Sequence, residues 1–301
     1  MITYDIVEKI YNQLLHTEGG KNADYIHELS IQNPHLYAIS IYMLNGEEIS
    51  IGDDKQLFAI ESCSKVFTLA LALEKYGISY LKKKIGNKTT REKFNSICAA
   101  DSISNHTINS FQNGGAMATL SLLSQDYTNK KKFTDKIVDN MSAYAGKKLK
   151  VSSKIYKSEI SHAERNVAIA QLLDSYGRFY GDVETCVHVY TKQCSVMITT
   201  RDGALMAATL ANQGTNPVTG EHLVSKENVK YILHHMSIAG LYEETPTWME
   251  KVGFCAKSGV SGLLMIVIPG RMGICIASPP LNSHGNSVKG IKTMKLLKKY
   301  I

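Results

Sequence analysis

At 301 residues, 44% of them hydrophobic, the chain is long enough to bury a substantial core as one large domain or two smaller ones. Its formal charge of +7 is moderate, and the densest share, Lys289, Lys292, Lys295, Lys298 and Lys299, is spaced like the polar side of an amphipathic helix. With no aromatic residues interleaved as a stacking platform, this reads as a solvated helix face, so neither nucleic acid nor a membrane is an expected partner.

Residues 4–16 have helical spacing, with Ile6, Val7, Ile10, Tyr11, Leu14 and Leu15 on one side. Gly19-Gly20-Lys21-Asn22 reads as a turn, and Ala23 to Leu29 as a short helix carrying Tyr25. Leu36 to Leu44, Asn45-Gly46 and Glu47 to Ile51 form the clearest hairpin. An apolar strand through Leu57, Phe58, Ala59 and Ile60 runs into Glu61-Ser62-Cys63-Ser64-Lys65, which opens a helix to about Tyr76. From Ser62 to about Asp182 the pattern is helical: Ser64–Tyr76, Gly115–Ser124, Lys131–Tyr144 and Glu164–Tyr176, with polar stretches near Gly86–Phe94 and Gly146–Ser153. Helices at Asp202–Asn212 and Ser225–Ser237 follow. Then come strands at Gly253–Lys257, Leu263–Ile268 and Met272–Ala277, and a last helix at Ser287–Tyr300.

Strands at both ends of a chain pair only by meeting in space. The expected fold is therefore α+β, one mostly antiparallel sheet flanked by terminal helices, with an inserted all-helical subdomain. The sheet subdomain takes 1–61 and 183–301 and the helical subdomain 62–182, one catalytic domain overall.

Ser62 and Lys65 are three residues apart on the first helical turn, so they share a face and the amine can reach the hydroxyl. An amine kept neutral by burial or by a second cation takes a serine proton, which makes Ser-x-x-Lys a motif of acyl transfer. A second copy, Ser79 and Lys82, follows a helix-stopping Gly77 in a run of lysines and reads as a solvated loop. Lys257-Ser258-Gly259-Val260, on a late strand, is the usual companion of such a serine. Its lysine adds positive charge beside Lys65, and a backbone N–H after the glycine serves an oxyanion. The six cysteines are scattered with no Cys-x-x-Cys pair, so neither a zinc site nor a redox pair is expected. The start, Met1-Ile2-Thr3-Tyr4-Asp5, shows no export pattern, no apolar run is long enough to span a bilayer, and a cytoplasmic chain is the expectation.

From about residue 20 to 290 the chain resembles the serine-dependent glutaminases, whose fold is β-lactamase-like. The matches are Tyr25-Ile26, Ser62-Cys63-Ser64-Lys65, Phe94-Asn95, Gln112-Asn113-Gly114-Gly115-Ala116, Ser158-Glu159 with Arg165-Asn166, and Tyr190 ahead of Gln193-Cys194-Ser195. They continue through Met206 to Asn212, Thr219-Gly220-Glu221, Gly240-Leu241-Tyr242, Ala256 to Val260, and Ser278-Pro279-Pro280-Leu281 leading to Gly285-Asn286-Ser287-Val288-Lys289-Gly290. The resemblance implies that Ser62 attacks the side-chain amide of L-glutamine and Lys65 takes its proton. The N–H groups of Ser62 and Val260 would hold the oxyanion, and Tyr242 and Tyr25 relay a proton to departing ammonia. Glu159 would accept the substrate's ammonium, with Asn113, Asn166 and Tyr190 donating to its carboxylate. L-glutamate is the product, no metal or organic cofactor is implied, and a homodimer or homotetramer is.

Two departures stand out: the family usually has glutamine where this chain has Glu61, and Asn-Ala-Gly where it has Asn113-Gly114-Gly115. A carboxylate at Glu61 either strengthens ammonium binding or pairs with Lys65 and raises its pKa, and the extra glycine loosens the loop aiming Asn113. Two alternatives therefore stay open: a related serine amidase or acyl-transferase on another amide, and a glutamine-binding module that has lost turnover.

Overall fold

The runs Ala38–Met43, Leu263–Ile268 and Met272–Ala277 are nearly free of polar residues, so a sheet made from them needs cover on both faces. A computed structural model, which describes residues 2–90, 93–101 and 106–301, supplies that cover. Among these residues lie strands β1 (Ala38–Met43), β2 (Glu48–Gly52), β3 (Phe58–Ala59), β4 (Lys150–Val151), β5 (Val196–Ile198), β6 (Cys255–Ser258), β7 (Leu263–Ile268) and β8 (Met272–Ala277). The main sheet has the order β2-β1-β8-β7-β6, antiparallel throughout, with Ala38 opposite Ala277 and Met43 opposite Met272.

Alternation along the strands sorts side chains to two faces. Ile39, Ile41, Leu264, Ile266, Ile274 and Ile276 join Val7, Ile10, Leu14, Met294 and Leu297 of the terminal helices Tyr4–Leu14 and Val288–Leu297. Leu263, Met265, Val267, Cys275 and Ala277 join Ala204, Ala207 and Ala208 of helix Thr200–Ala211. A Cβ at Gly273 would stand 2.2 Å from Ala204 O and Ala208 N, so the bare glycine lets that helix lie directly on β8. Each Leu or Ile buried this way contributes ~1.5–3 kcal/mol, which makes the sheet a stiff base for what it carries.

A small sheet, β3-β5-β4, pairs Phe58 with Ile198 and Val151 with Val196. It holds the segment leading to Ser62 beside the helical layer, in which Ser64–Tyr76, Asn113–Ser124, Lys130–Tyr144, Glu164–Ser175 and Val183–Cys194 pack on one another. No helix among the described residues is long and apolar enough to cross a membrane.

The structure corrects several expectations. Tyr25 lies in a turn and the helix after it covers only His27–Ser30. Ser79 and Lys82 are exposed, as expected, but on a short helix, Ile78–Lys84, that restarts after Gly77 at φ 77°. Lys289 is not solvated: it is 4% exposed, and its amine donates to Leu15 O at 2.9 Å beneath the Tyr37 ring. The polar stretch expected near Gly86–Phe94 falls partly outside the described residues. Helix Val183–Cys194 was not anticipated, since Val183, Thr185, Val187, Val189 and Thr191 carry a strand-like alternation. Its signal is Asp182, whose side chain caps it by accepting from Thr185 N at 2.8 Å.

Candidate active site

The turn that carries Ser62 is made by backbone geometry. Ile60 N donates to Val196 O at 2.8 Å and ends the strand pairing. Glu61 then takes φ 49°, a left-handed value uncommon outside glycine, and swings the chain into the 3₁₀ turn Glu61–Cys63. Ser64 Oγ closes the turn by donating to Glu61 O at 2.6 Å. The end of β6 is fastened to the same turn. Cys63 Sγ donates to Lys257 O at 3.2 Å, and Ser261 Oγ to Ala59 O at 2.6 Å. A Cβ on Gly259 would come within 2.9 Å of Ile60 O and 3.2 Å of the Glu61 Cβ, so glycine permits this approach.

Behind Ser62 two lysines are buried, Lys65 at 1% and Lys257 at 0% exposure. Lys65 Nζ donates to Phe111 O at 2.9 Å and Asn113 Oδ1 at 2.7 Å. Lys257 Nζ donates to Gly240 O at 3.0 Å and Ser258 O at 2.7 Å, and lies 4.4 Å from the centre of the Tyr242 ring. Burial brings Lys65 down to about 8, partly offset by Cys194, Glu61 and further acidic neighbours. Burial, reinforced by the charge of Lys65, brings Lys257 down to about 7. Both amines thus hold a neutral population near pH 7. Tyr242, also on a left-handed backbone at φ 53°, lies beside Ser62, donates to Ser258 O at 3.4 Å and packs tilted against Phe94, with ring centres 4.6 Å apart. Burial raises its hydroxyl pKa, so it stays protonated.

In front of Ser62 a pocket of about 100 Å³ is lined by Tyr25, Glu61, Ser62, Asn113, Glu159, Asn166, Tyr190 and Val260, with Phe94, Asn95, His162, Arg165 and Cys194. Asn113 Oδ1 accepts from Tyr190 Oη at 3.1 Å as well as from Lys65, and its Nδ2 donates to Asn166 Oδ1 at 3.1 Å. Tyr25, half exposed, stands at the mouth. Opposite it Glu61, Glu159 and Cys194 each offer an atom within 4.8 Å of the others. Burial, then the neighbouring Glu159, push Glu61 well above the ordinary carboxyl value. Burial pushes Glu159 to about 8 against the pull of Ser195 and Lys65. The three atoms have the spacing of a metal site, but burial and the two carboxyls raise the Cys194 thiol, which therefore stays protonated and is a poor ligand.

The fold brings together every residue anticipated for the site, with two revisions. Lys65 directs its hydrogen bonds at Phe111 and Asn113 rather than at Ser62. Gly114 does not loosen a loop: it sits in the first turn of helix Asn113–Ser124, where a Cβ would lie 3.2 Å from Ile169 Cγ2. Glu61 raises Lys65, yet burial outweighs it. Cys194 was missed as a pocket residue. Finding it required the unanticipated helix Val183–Cys194, on which Tyr190 and Cys194 are four residues apart and share a face.

A model of the glutaminase family matches residues 20–301. The glutaminase of Colwellia psychrerythraea is 40% identical over 293 residues, covering 97% of this chain and 94% of its own. That of Mycobacterium ulcerans is 41% identical over 271 residues, covering 90% and 84%. Among solved structures, a probable glutaminase superposes with a TM-score of 0.95 at 39% identity, over 98% of this chain and 95% of its own. The crystal structure of Mglu in its glutamate form does so with a TM-score of 0.93 at 31% identity, over 100% of this chain and 69% of its own. With a β-lactamase-like α+β fold and a family match from residue 20 to the last residue, the chain belongs to the glutaminase family of hydrolases.

Proposed function

We propose that the glutaminase reaction, L-glutamine to L-glutamate and ammonia, runs here through a γ-glutamyl ester on Ser62. The observation that carries this reading is the hydrogen bonding of Lys65. A neutral amine has two hydrogens and one lone pair, and Phe111 O and Asn113 Oδ1 engage both hydrogens. The lone pair is left for the proton of Ser62, received directly or by way of the neighbouring Tyr242 hydroxyl. The charge of Lys65 in turn holds Lys257 down, so a second positive charge does not build up beside it.

Attack of Ser62 Oγ on the amide carbon makes a tetrahedral oxyanion, with the N–H groups of Ser62 and Val260 as its donors. Its collapse expels nitrogen, a poor leaving group unless protonated. Tyr242 supplies that proton, Tyr25 assists at the mouth, and Lys65 resupplies it. Water then hydrolyses the ester by the reverse proton path. Glu159 and Glu61 take the substrate's ammonium, and Asn113, Asn166 and Tyr190 orient its carboxylate. Ser258 and Gly259 support the strand end beside Ser62. The reading treats 62–182 as a helical subdomain over the sheet subdomain 1–61 and 183–301. It also includes a cytoplasmic homodimer or homotetramer, to be checked by light scattering.

The test is ammonia release from L-glutamine, with intact-mass detection of the acylated protein in an acid quench. Release and acylation that both vanish in Ser62→Ala support the ester. Release that survives in Ser62→Ala removes Ser62 from the mechanism. Turnover of other γ-glutamyl amides in preference to glutamine would favour the related-amidase alternative, and binding with no release by the native protein would favour the binding module.

A further inference from the structure

The two carboxyls in the pocket are short of partners. Glu61 is 3% exposed, lines the pocket, and its Oε1 is buried with no hydrogen-bond partner. Glu159 Oε2 has Ser195 Oγ at 3.4 Å, but that hydroxyl has one hydrogen and Thr191 O, at 2.8 Å, is the better acceptor. The Ser195 contact therefore gains a hydrogen only if Glu159 carries one. Two carboxylates whose oxygens lie within 4.8 Å in a buried pocket repel strongly when both are ionised. Leaving both charged and unpartnered is the costly state, and a shared proton relieves it.

We propose that Glu61 and Glu159 form one cradle that holds a proton between them when the pocket is empty and releases it to solvent when the substrate's ammonium enters. This rests on the reading that the pocket takes glutamine, and deepens it by making Glu61 a specificity-determining partner of Glu159. An ammonium brings three donors, which fill the orphaned Glu61 oxygen, and one positive charge, which takes the place of the released proton and leaves the cradle's net charge unchanged. A ligand without an ammonium offers neither, so the cradle selects α-amino acids.

The surrounding charges are consistent with this behaviour. Lys65, from the helix after Ser62, favours the ionised form of both carboxyls but is outweighed by burial. Tyr25, Tyr190 and Tyr242 are all raised by burial and stay neutral, as do the thiols of Cys63 and Cys194. His162 and Arg165 also line the pocket but are exposed, so solvent screens them.

Calorimetric binding of L-glutamine to Ser62→Ala, in buffers of different ionisation enthalpy, counts the protons exchanged. The expected result is a release approaching ~1 proton per ligand between about pH 6 and 8. Adding Glu61→Gln abolishes most of the release, and glutaramate, which is glutamine without its amino group, causes none. The native protein with L-glutamate is the second measurement, independent of the Ser62 variant. In turnover, KM of the native enzyme falls by up to about tenfold for each unit that pH rises towards the pair's titration, and Glu61→Gln flattens that dependence while kcat remains measurable. Glutamine binding with no proton release, or equal release with Glu61→Gln, overturns the cradle and leaves the glutaminase site standing. No binding of glutamine at all overturns both.

Discussion

The wall behind Ser62 and the wall facing it are both lined with buried ionisable groups, yet they are built differently. Behind the serine, Lys65 and Lys257 each have two oxygen acceptors at 2.7–3.0 Å, three of the four being main-chain carbonyls. Facing it, Glu61 leaves one oxygen without any partner and Glu159 has a single long contact. The lysines are satisfied before any ligand arrives, and the carboxyls are not. Catalytic amines gain from being fixed in advance, whereas a binding wall gains from a deficit that only the right ligand fills.

The most severe way to break this comparison is Ser62→Ala, expected to lower kcat by more than ~10³-fold, by analogy with serine hydrolases generally, while glutamine still binds calorimetrically. Lys65→Met should cost nearly as much in kcat. Retained turnover in that variant would transfer the base role to Tyr242. On the facing wall Glu159→Gln should raise KM by ~10–100-fold, the loss of a charged hydrogen bond, with a smaller change in kcat. Glu61→Gln removes a carboxyl that raises Lys65, so the rising limb of kcat against pH should move to lower pH, and an unmoved limb would separate the two walls electrostatically.

Stability against pH sharpens the contrast, because the walls have opposite signs. Glu159 rises from 4.5 to about 8 on folding, so the native state binds the extra proton and stability is lost as pH rises through that window. Lys257 falls from 10.5 to about 7, so the unfolded chain binds the extra proton and stability is gained as pH rises from about 7 towards 10.5. Melting curves of the ligand-free protein should show Glu159→Gln flattening the descending limb and Lys257→Met the ascending one. The smallest effect belongs far from both: Asn129→Ala removes a cap that accepts from Lys132 N at 3.1 Å. It should cost ~1 kcal/mol of stability with kinetics unchanged.

The sheet was legible from sequence because β7 and β8 are unbroken apolar runs bounded by Pro269-Gly270, and their limits agree with expectation to the residue. Ser62, Lys65 and Lys257 were legible because motif spacing ties chemistry to backbone. What spacing does not carry is direction. Lys289 keeps the period of a solvated face but turns inward to a carbonyl 274 residues away. Lys65 shares the face of Ser62 yet directs its hydrogens to Phe111 and Asn113. The carboxyl pairing was hidden for the same reason: Glu61 and Glu159 sit on separate elements, and their closeness follows from the left-handed turn at Glu61 and the packing of helix Ser153–Ile160.

The fastening of the Ser62 turn to the end of β6 also has a temporal side. The Cys63 thiol and the Lys257 carbonyl it bonds are 194 residues apart in the chain. At ~5–20 residues per second of synthesis, the serine turn emerges roughly 10–40 seconds before the strand that completes it. Under the proposed Ser62 mechanism, a nascent chain carries the serine for that interval without the Val260 N–H beside it, and acyl transfer waits for the last sheet strands.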